Sequence, residues 1–591
     1  MSSFYDDASL VVIPSGYKTS KVYSEKPTDG SGDLTFTRTG DTATRVNSAG
    51  LIEKVRTNVL TYSNTFSNAA WTKTDSSVTS GQSGYDGTNN AWLLANTASS
   101  GNLTQTISFS GFNTLSVYAK AGTHQNLYIL LNGSGFNATA SYNLSTGVIS
   151  NASADALITT ATSVGNGWWR LTITGSRSNV DVRISPSNNN SGGASTNGNI
   201  LIQNIQLEAG DIATDYIATT TAAVSVGPTA NTARLDYLGS TCPRLILEPQ
   251  RVNLVTFSEQ LDNAAWVKEQ VSITANATTS PDGTANADKI IANATAGDKY
   301  VAQIFTLGIG TAYTTSAYFK SSEYTFAYIR FGGLVSNPYV IYNLATQAVV
   351  TTTGLTSSSI TSVGNGWYRI TATATTTTTT LAPVFMVLPS TGYTLGLDNI
   401  PEFTGNGTSG GFLWGAQLEA GAYATSYIPT LAASATRGAD ACSKTGISSL
   451  IGQTQGTLFV DFNWQQKDGV FFVNSISDGT TDNEIMMAFG SSADNRLRFS
   501  IASGGTVYVS FDSATLASGT YKVAFAYANN DAVAYINGVQ QFTDSSVTIP
   551  ATSAFKFLRA NDTLGFVGSI NQQLLFKTRL TNSELAELTS L

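Results

Sequence analysis

The chain has 591 residues, long enough for about three to five domains, and only 12% of them are charged against roughly 25% in an average soluble protein. A hydrophobic share of 41% excludes a disordered polymer, which pairs low hydrophobicity with high charge. The net charge of −8, with no block of Lys or Arg, excludes a phosphate-neutralising surface and so predicts neither nucleic acid nor membrane as a partner. Two cysteines, Cys242 and Cys442, cannot make a disulfide framework, and with the single His124 they cannot make a conventional zinc set. His124 follows a predicted strand and reads as a turn residue, which removes most Ser-His-Asp chemistry.

In chain order, Met1-Ser-Ser-Phe-Tyr-Asp-Asp lacks the basic-then-apolar form of a signal peptide, so general secretion is not expected. Residues 1–50 carry turn pairs, Asp29-Gly30 and Ser31-Gly32, and a short β-type run, Leu34-Thr-Phe-Thr-Arg38. They read as an extended attachment segment. A long internal repeat follows, which fixes architecture before any secondary-structure reading. Asn58 and Asn253, in Arg-Thr-Asn-Val and Arg-Val-Asn-Leu, lie 195 residues apart, as do Trp71 and Trp266 in two copies of Asn-Ala-Ala-Trp. Ser163-Val-Gly-Asn-Gly-Trp-Trp-Arg170 returns as Ser362-Val-Gly-Asn-Gly-Trp-Tyr-Arg369, and Gln206-Leu-Glu-Ala-Gly210 as Gln417-Leu-Glu-Ala-Gly421.

Between these motifs, period-two segments rich in Val, Ile, Thr and Tyr predict half-buried strands, and helical patterns are scarce. The low-complexity run Thr375–Thr380 is β-branched and is expected as an exposed strand. The fold class is therefore all-β: two tandem antiparallel β-sandwich (jelly-roll) modules over residues 51–228 and 229–442. Beyond Cys442 neither motif recurs, and a separate sandwich is expected over 443–591, with a hairpin at Asn537-Gly538 and a short capped helix around Ser583-Glu-Leu-Ala-Glu587.

Three tryptophans are the glycan candidates, since a flat exposed ring can stack on the apolar face of a sugar. Alternation sends Leu171, Ile173 and Trp169 inward and Trp168 outward, and by the same argument Ile370 inward and Trp367 outward. Packing against a neighbouring chain or module competes with sugar contact as their role. Trp464 of the last domain is the third candidate, with no side assigned. Four of only twelve glutamates fall at matched repeat positions, Glu53 with Glu248 and Glu208 with Glu419. Paired carboxylates could serve glycoside hydrolysis. Their place at the module borders favours hydrogen bonding to Arg or backbone N–H, so no catalytic residue is assigned. The oxygen-rich stretches Thr481-Asp-Asn-Glu484 and Asn529-Asn-Asp531 lack the spacing of a calcium loop, and no metal or cofactor is expected.

Taken together, the Arg-Xaa-Asn opening with Asn-Ala-Ala-Trp, the central Gly-Asn-Gly-Trp and the closing Gln-Leu-Glu-Ala-Gly resemble modules of bacteriophage tail-fibre and tail-spike proteins, over about residues 50–440. Those modules are jelly rolls similar to carbohydrate-binding modules. Residues 443–591, with Gly456-Thr-Leu-Phe-Val-Asp and Tyr535-Ile-Asn-Gly538, resemble a concanavalin-like or laminin-G-like sandwich. The resemblance implies a virion structural protein, a tail or capsid-associated fibre assembled in the host cytoplasm and displayed on the particle. It implies further a homotrimer, contacts with other virion proteins and engagement of host-surface polysaccharide without catalysis. The alternatives are a tail-spike depolymerase, against which the absence of a short stacked repeat argues, and a purely architectural connector.

Overall fold

The computed structural model describes residues 2–133, 136–188, 197–464, 470–490, 495–563 and 565–590. The chain divides into two compact units, Val55–Gly227 and a second made of Met1–Lys54 with Pro228–Leu591.

Val55–Gly227 is a β-sandwich built on two 20-residue strands, Asn102–Ala121 and Trp168–Ser187. They pair antiparallel from Leu103 with Ile184 to Lys120 with Trp168. A register shift between Ile107 and Ser110 interrupts this ribbon as a bulge does, and another between Ser116 and Tyr118 interrupts the pairing of Asn102–Ala121 with Asn199–Ala209. Period-two alternation puts Leu115, Val117, Leu171 and Ile173 into one core with Ile129, Ile184 and Ile202.

The second repeat copy has the same plan with its long strands broken in two. A six-stranded sheet holds Ala312–Lys320, Trp367–Thr375 and Gly410–Ala420, and a seven-stranded sheet holds Phe326–Gly332 and Thr380–Leu388. Phe319 of the first sheet meets Phe385 of the second, ring centroids 6.4 Å apart. The break falls at residues 376–379, where the sequence predicts a continuous strand. The reason is local: the buried Thr376 hydroxyl donates to the carbonyl oxygens of Gly308 (2.6 Å) and Thr311 (3.1 Å), and Thr378 donates to that of Gly333 (2.6 Å). Threonine hydroxyls that find backbone partners nearby compete with a sheet ladder.

The third sandwich has two sheets, and strands from outside residues 443–591 join both of them. Its core strands come from the C-terminal region, for example Gln455–Trp464, Gly519–Ala528 and Gly568–Phe576. Leu10–Val12 adds to Gly568–Phe576, and Arg234–Asp236 and Arg244–Leu247 extend the same sheet. Tyr17–Lys18, Lys21–Val22 and Leu34–Thr37 join the opposite sheet through Ala441–Thr445. Residues 10–37 therefore do not stand apart as an extended attachment segment. Leu10, Val12, Val22, Leu34 and Phe36 are buried in this sandwich with Leu235, Leu245, Phe462 and Phe525. The Asn537-Gly538 turn closes its hairpin with both residues left-handed, φ 48° and 79°. The terminal helix Asn582–Leu588 begins with a capping box, Thr581 accepting from the Glu584 N–H and the Glu584 carboxylate accepting from the Thr581 N–H.

Candidate functional site

The three tryptophans proposed as sugar platforms do not present their rings. Each is about 1% exposed. Trp168 does lie on the strand face away from its sandwich core, but Ala91, Leu201 and the stacked pair Tyr85 and Tyr118 cover it. Trp367 is likewise on the outer face, closed over by Ile52, Ala287, Tyr318, Trp414 and Tyr427, with its Nε1 donating to the Thr279 carbonyl oxygen at 3.0 Å. Trp464 sits within the third core, 4.5 Å from Phe489 between ring centroids. Alternation assigns the sides of Trp168 and Trp367; it says nothing of what covers a side.

The repeated motifs turn out to be the closures of each module. Gly165, Asn166 and Gly167 are all left-handed, φ 90°, 52° and 76°, and Gly364, Asn365 and Gly366 repeat this with 88°, 52° and 76°. Three such residues in a row explain why the motif reads Gly-Asn-Gly. Trp71 and Trp266 donate from Nε1 to the carbonyl oxygens of Tyr62 and Phe257, each at 3.0 Å. Glu208 accepts from the Thr214 N–H (2.8 Å), the Thr214 hydroxyl (2.6 Å) and Gln206 (2.8 Å). Glu419 repeats the pattern with Thr425 and Gln417. Burial pushes the Glu208 carboxyl above its ordinary value, against the pull of these donors. Both carboxylates are 2% exposed or less, so neither can reach a substrate.

Two ion clusters lie in the larger unit. Lys54 Nζ is 2.7 Å from both Glu259 and Asp282 and stands over the Trp414 ring. In the other, Asp440 ion-pairs with Arg38 and Arg234, and Glu248 with Arg234 (2.7 Å) and Arg437 (2.9 Å). Glu248 also accepts from the Ser426 N–H and hydroxyl, both at 2.7 Å. Burial opposes its charged form, but Arg437, Arg234 and Ser426 outweigh that and hold its carboxyl well below the usual carboxylate range. Arg38, Glu248 and Asp440 come from three distant stretches of chain, so this cluster ties them together.

In the two oxygen-rich stretches, Asn483 donates to Asp478 and Glu484 accepts from the Ala560 N–H, while Asn529 accepts from the Ile549 N–H and Asp531 is ion-paired with Arg579 at 2.9 Å. Among the described residues no group of three or more His, Cys, Asp or Glu could hold a metal ion, and no helix is long and apolar enough to cross a membrane. Cys242 is exposed and Cys442 buried, both as free thiols.

Among the described residues, one opening to solvent that gathers polar and charged side chains is a cleft of about 510 Å³ in the larger unit, where the second jelly roll faces the third sandwich. Strand register builds one wall. Ser357–Ser362 pairs with Trp367–Thr375, setting Ser357 opposite Thr373, Ser359 opposite Thr371 and Thr361 opposite Arg369. With a period of two these six share the cleft face, while Ile370 and Ala372 point into the core. Arg369 lies over the Tyr318 ring at 5.5 Å and donates to the Ser316 hydroxyl at 3.0 Å. The facing wall alternates in the same way: Leu245 and Leu247 are buried in the third core, and Arg244 and Ile246 line the cleft with Ser569. Sequence reasoning misses this wall because it places Arg244–Leu247 in the second module. Arg369 carries a signal, since it ends the Gly-Asn-Gly-Trp-Tyr-Arg motif on the same strand face as Trp367.

Residues 458–586 match the family model of the concanavalin A-like lectin/glucanases superfamily, in agreement with the two-sheet architecture of the third sandwich. Among solved structures the chain is similar to the CBM40 of the Ruminococcus gnavus IT-sialidase, 16% identical over 25% of this chain and 91% of that one, with a TM-score of 0.22. It is similar also to domain 4 of AbnA, a GH43 extracellular arabinanase from Geobacillus stearothermophilus solved with arabinotriose, 16% identical over 26% of this chain and 73% of that one, TM-score 0.22. No curated protein matches the chain.

Proposed function

We propose that the chain is a bacteriophage virion structural protein, a tail or capsid-associated fibre that engages host-surface glycan without catalysis. The observation that carries the glycan reading is the cleft. It is open, it is large enough for a few sugar rings, and its walls offer hydroxyls from Ser357, Ser359, Thr361 and Thr371 beside the guanidiniums of Arg45, Arg244 and Arg369. Such donors and acceptors match the alternating hydroxyls of a saccharide, and Ile246, Val363 and Val567 offer apolar contact for ring carbons. The match of residues 458–586 to a superfamily described as lectins and glucanases supports the same reading.

The virion assignment is supported by the motif combination over residues 50–440, and the homotrimer and the place on the particle surface come with it. The non-catalytic part is supported by the repeated carboxylates, whose oxygens are taken up inside the protein.

The test incubates purified chain with surface polysaccharide extracted from the host strain and measures both retention and chain length. Retention without shortening is the expected result. Shortening would make the protein a depolymerase, and neither retention nor shortening would leave an architectural connector.

A further inference from the structure

The cleft carries an imbalance of charge that a neutral sugar does not require. Three charged groups on its walls are engaged from within the protein, two by ion pairs and one by backbone N–H groups. Arg45 is paired with Glu53 at 2.7 Å, and Glu248 with Arg234 and Arg437. Asp236 accepts from the N–H groups of Val46 (2.7 Å) and Leu238 (2.9 Å). Arg244 and Arg369 are different. Among the described residues neither forms an ion pair with a carboxylate. Arg369 spends one nitrogen on the neutral Ser316 hydroxyl, and its Nε is buried with no hydrogen-bond partner. Asp461 feels the field of Arg244 but is itself held by Asn571 at 2.7 Å. A chain with a net charge of −8 thus presents, at one opening, two guanidiniums that no carboxylate ion-pairs.

We infer that this cleft takes an anionic saccharide, with Arg369 and Arg244 binding its carboxylate or sulfate group while the serine and threonine hydroxyls bind its hydroxyls. The inference rests on the glycan reading above and adds the charge class of the ligand. A guanidinium meets a planar carboxylate or a sulfate through two parallel N–H donors, and such charge-assisted bonds are about twice as strong as neutral ones. Arg369 is pre-organised for such a contact, because its stacking over Tyr318 and its bond to Ser316 already restrict the rotamers that a free arginine would lose on binding.

The test is an array of oligosaccharides bearing uronic-acid carboxylates or sulfate esters, each printed beside its carboxyl-reduced or desulfated counterpart. It is probed with the full chain and with Arg244→Gln, Arg369→Gln and Arg369→Lys. The acidic member of at least one pair is expected to bind tenfold or more tightly than its neutral partner, with an affinity that falls as salt rises. Each Gln variant is expected to erase most of that preference, and Arg369→Lys to keep part of it. The carboxylate and sulfate arms show which anion is read. Arg244→Gln removes a partly exposed side chain, so its result stands even if Arg369→Gln does not fold. Equal binding of acidic and neutral partners would overturn the inference and leave the glycan reading intact. Acidic preference that survives both Gln variants would overturn the assignment to this cleft. Binding to no sugar on the array would overturn the inference as well, and whole-cell adsorption would then decide the glycan reading separately.

Discussion

Replacing Glu248 by Gln removes one negative charge from a cluster in which Arg234 and Arg437 are wholly buried. Four contacts of 2.7–2.9 Å change, two from the guanidiniums and two from Ser426. Arg437 keeps the Pro249 carbonyl oxygen and Arg234 keeps Asp440, so three cations are left with one ion-paired carboxylate. Breaking a buried ion pair by removing one partner costs about 3–5 kcal/mol. For a unit of this size that is a fall of roughly 3–6 °C in the midpoint of unfolding. Calorimetry would read it, with the transition of Val55–Gly227 as an internal standard that stays in place. The pH dependence has a definite sign. The folded carboxyl titrates well below an unfolded one, so its stabilisation is complete above about pH 4.3 and drains away as the solution is acidified further. The difference between wild type and variant should therefore begin to shrink as the pH falls through about 4.3 and go on shrinking toward the folded value, well below the usual carboxylate range. A loss under about 1 kcal/mol at neutral pH would refute the view that this cluster ties the three stretches of chain together.

Other substitutions test the placement of particular side chains. Trp168→Ala should lower the stability of its unit by about 3–5 kcal/mol and leave saccharide binding unchanged, because the ring is covered from within; calorimetry with a binding assay checks both. Leu10→Ala should destabilise the third sandwich by about 2–5 kcal/mol, and deletion of residues 1–14 should leave it insoluble, read by expression and circular dichroism. A maleimide should label one thiol per native chain, Cys242, and reach Cys442 only in denaturant, as mass spectrometry of the peptides would show.

The parts of the fold that can be read from sequence are those set by local rules. Alternation such as Leu34-Thr-Phe-Thr marks a strand with Leu34 and Phe36 inward, and both are buried. Asn537-Gly538 specifies its own hairpin, and the repeat specifies two like sandwiches. What escapes is pairing at long range. Nothing in Leu10–Val12 names Gly568–Phe576 as its neighbour, since any alternating apolar strand satisfies that edge. The cleft escapes for the same reason. Arg244 and Arg369 are 125 positions apart and line one cleft only because linker residues enter the third sandwich. Conversely, the residues that stand out most, the repeated Trp and Glu, do so because closing each module demands them. Their hydrogen bonds point inward, and the recurrence of a closure looks in sequence like the recurrence of a site.

The central claim is that this chain reads glycan on a cell surface. Its most direct test is adsorption competition: host cells are incubated with purified chain, phage is added and unadsorbed particles are counted, with periodate-treated cells in parallel. The account predicts that the chain blocks adsorption and that periodate abolishes its binding. A chain that neither binds the cells nor competes with the phage would contradict it.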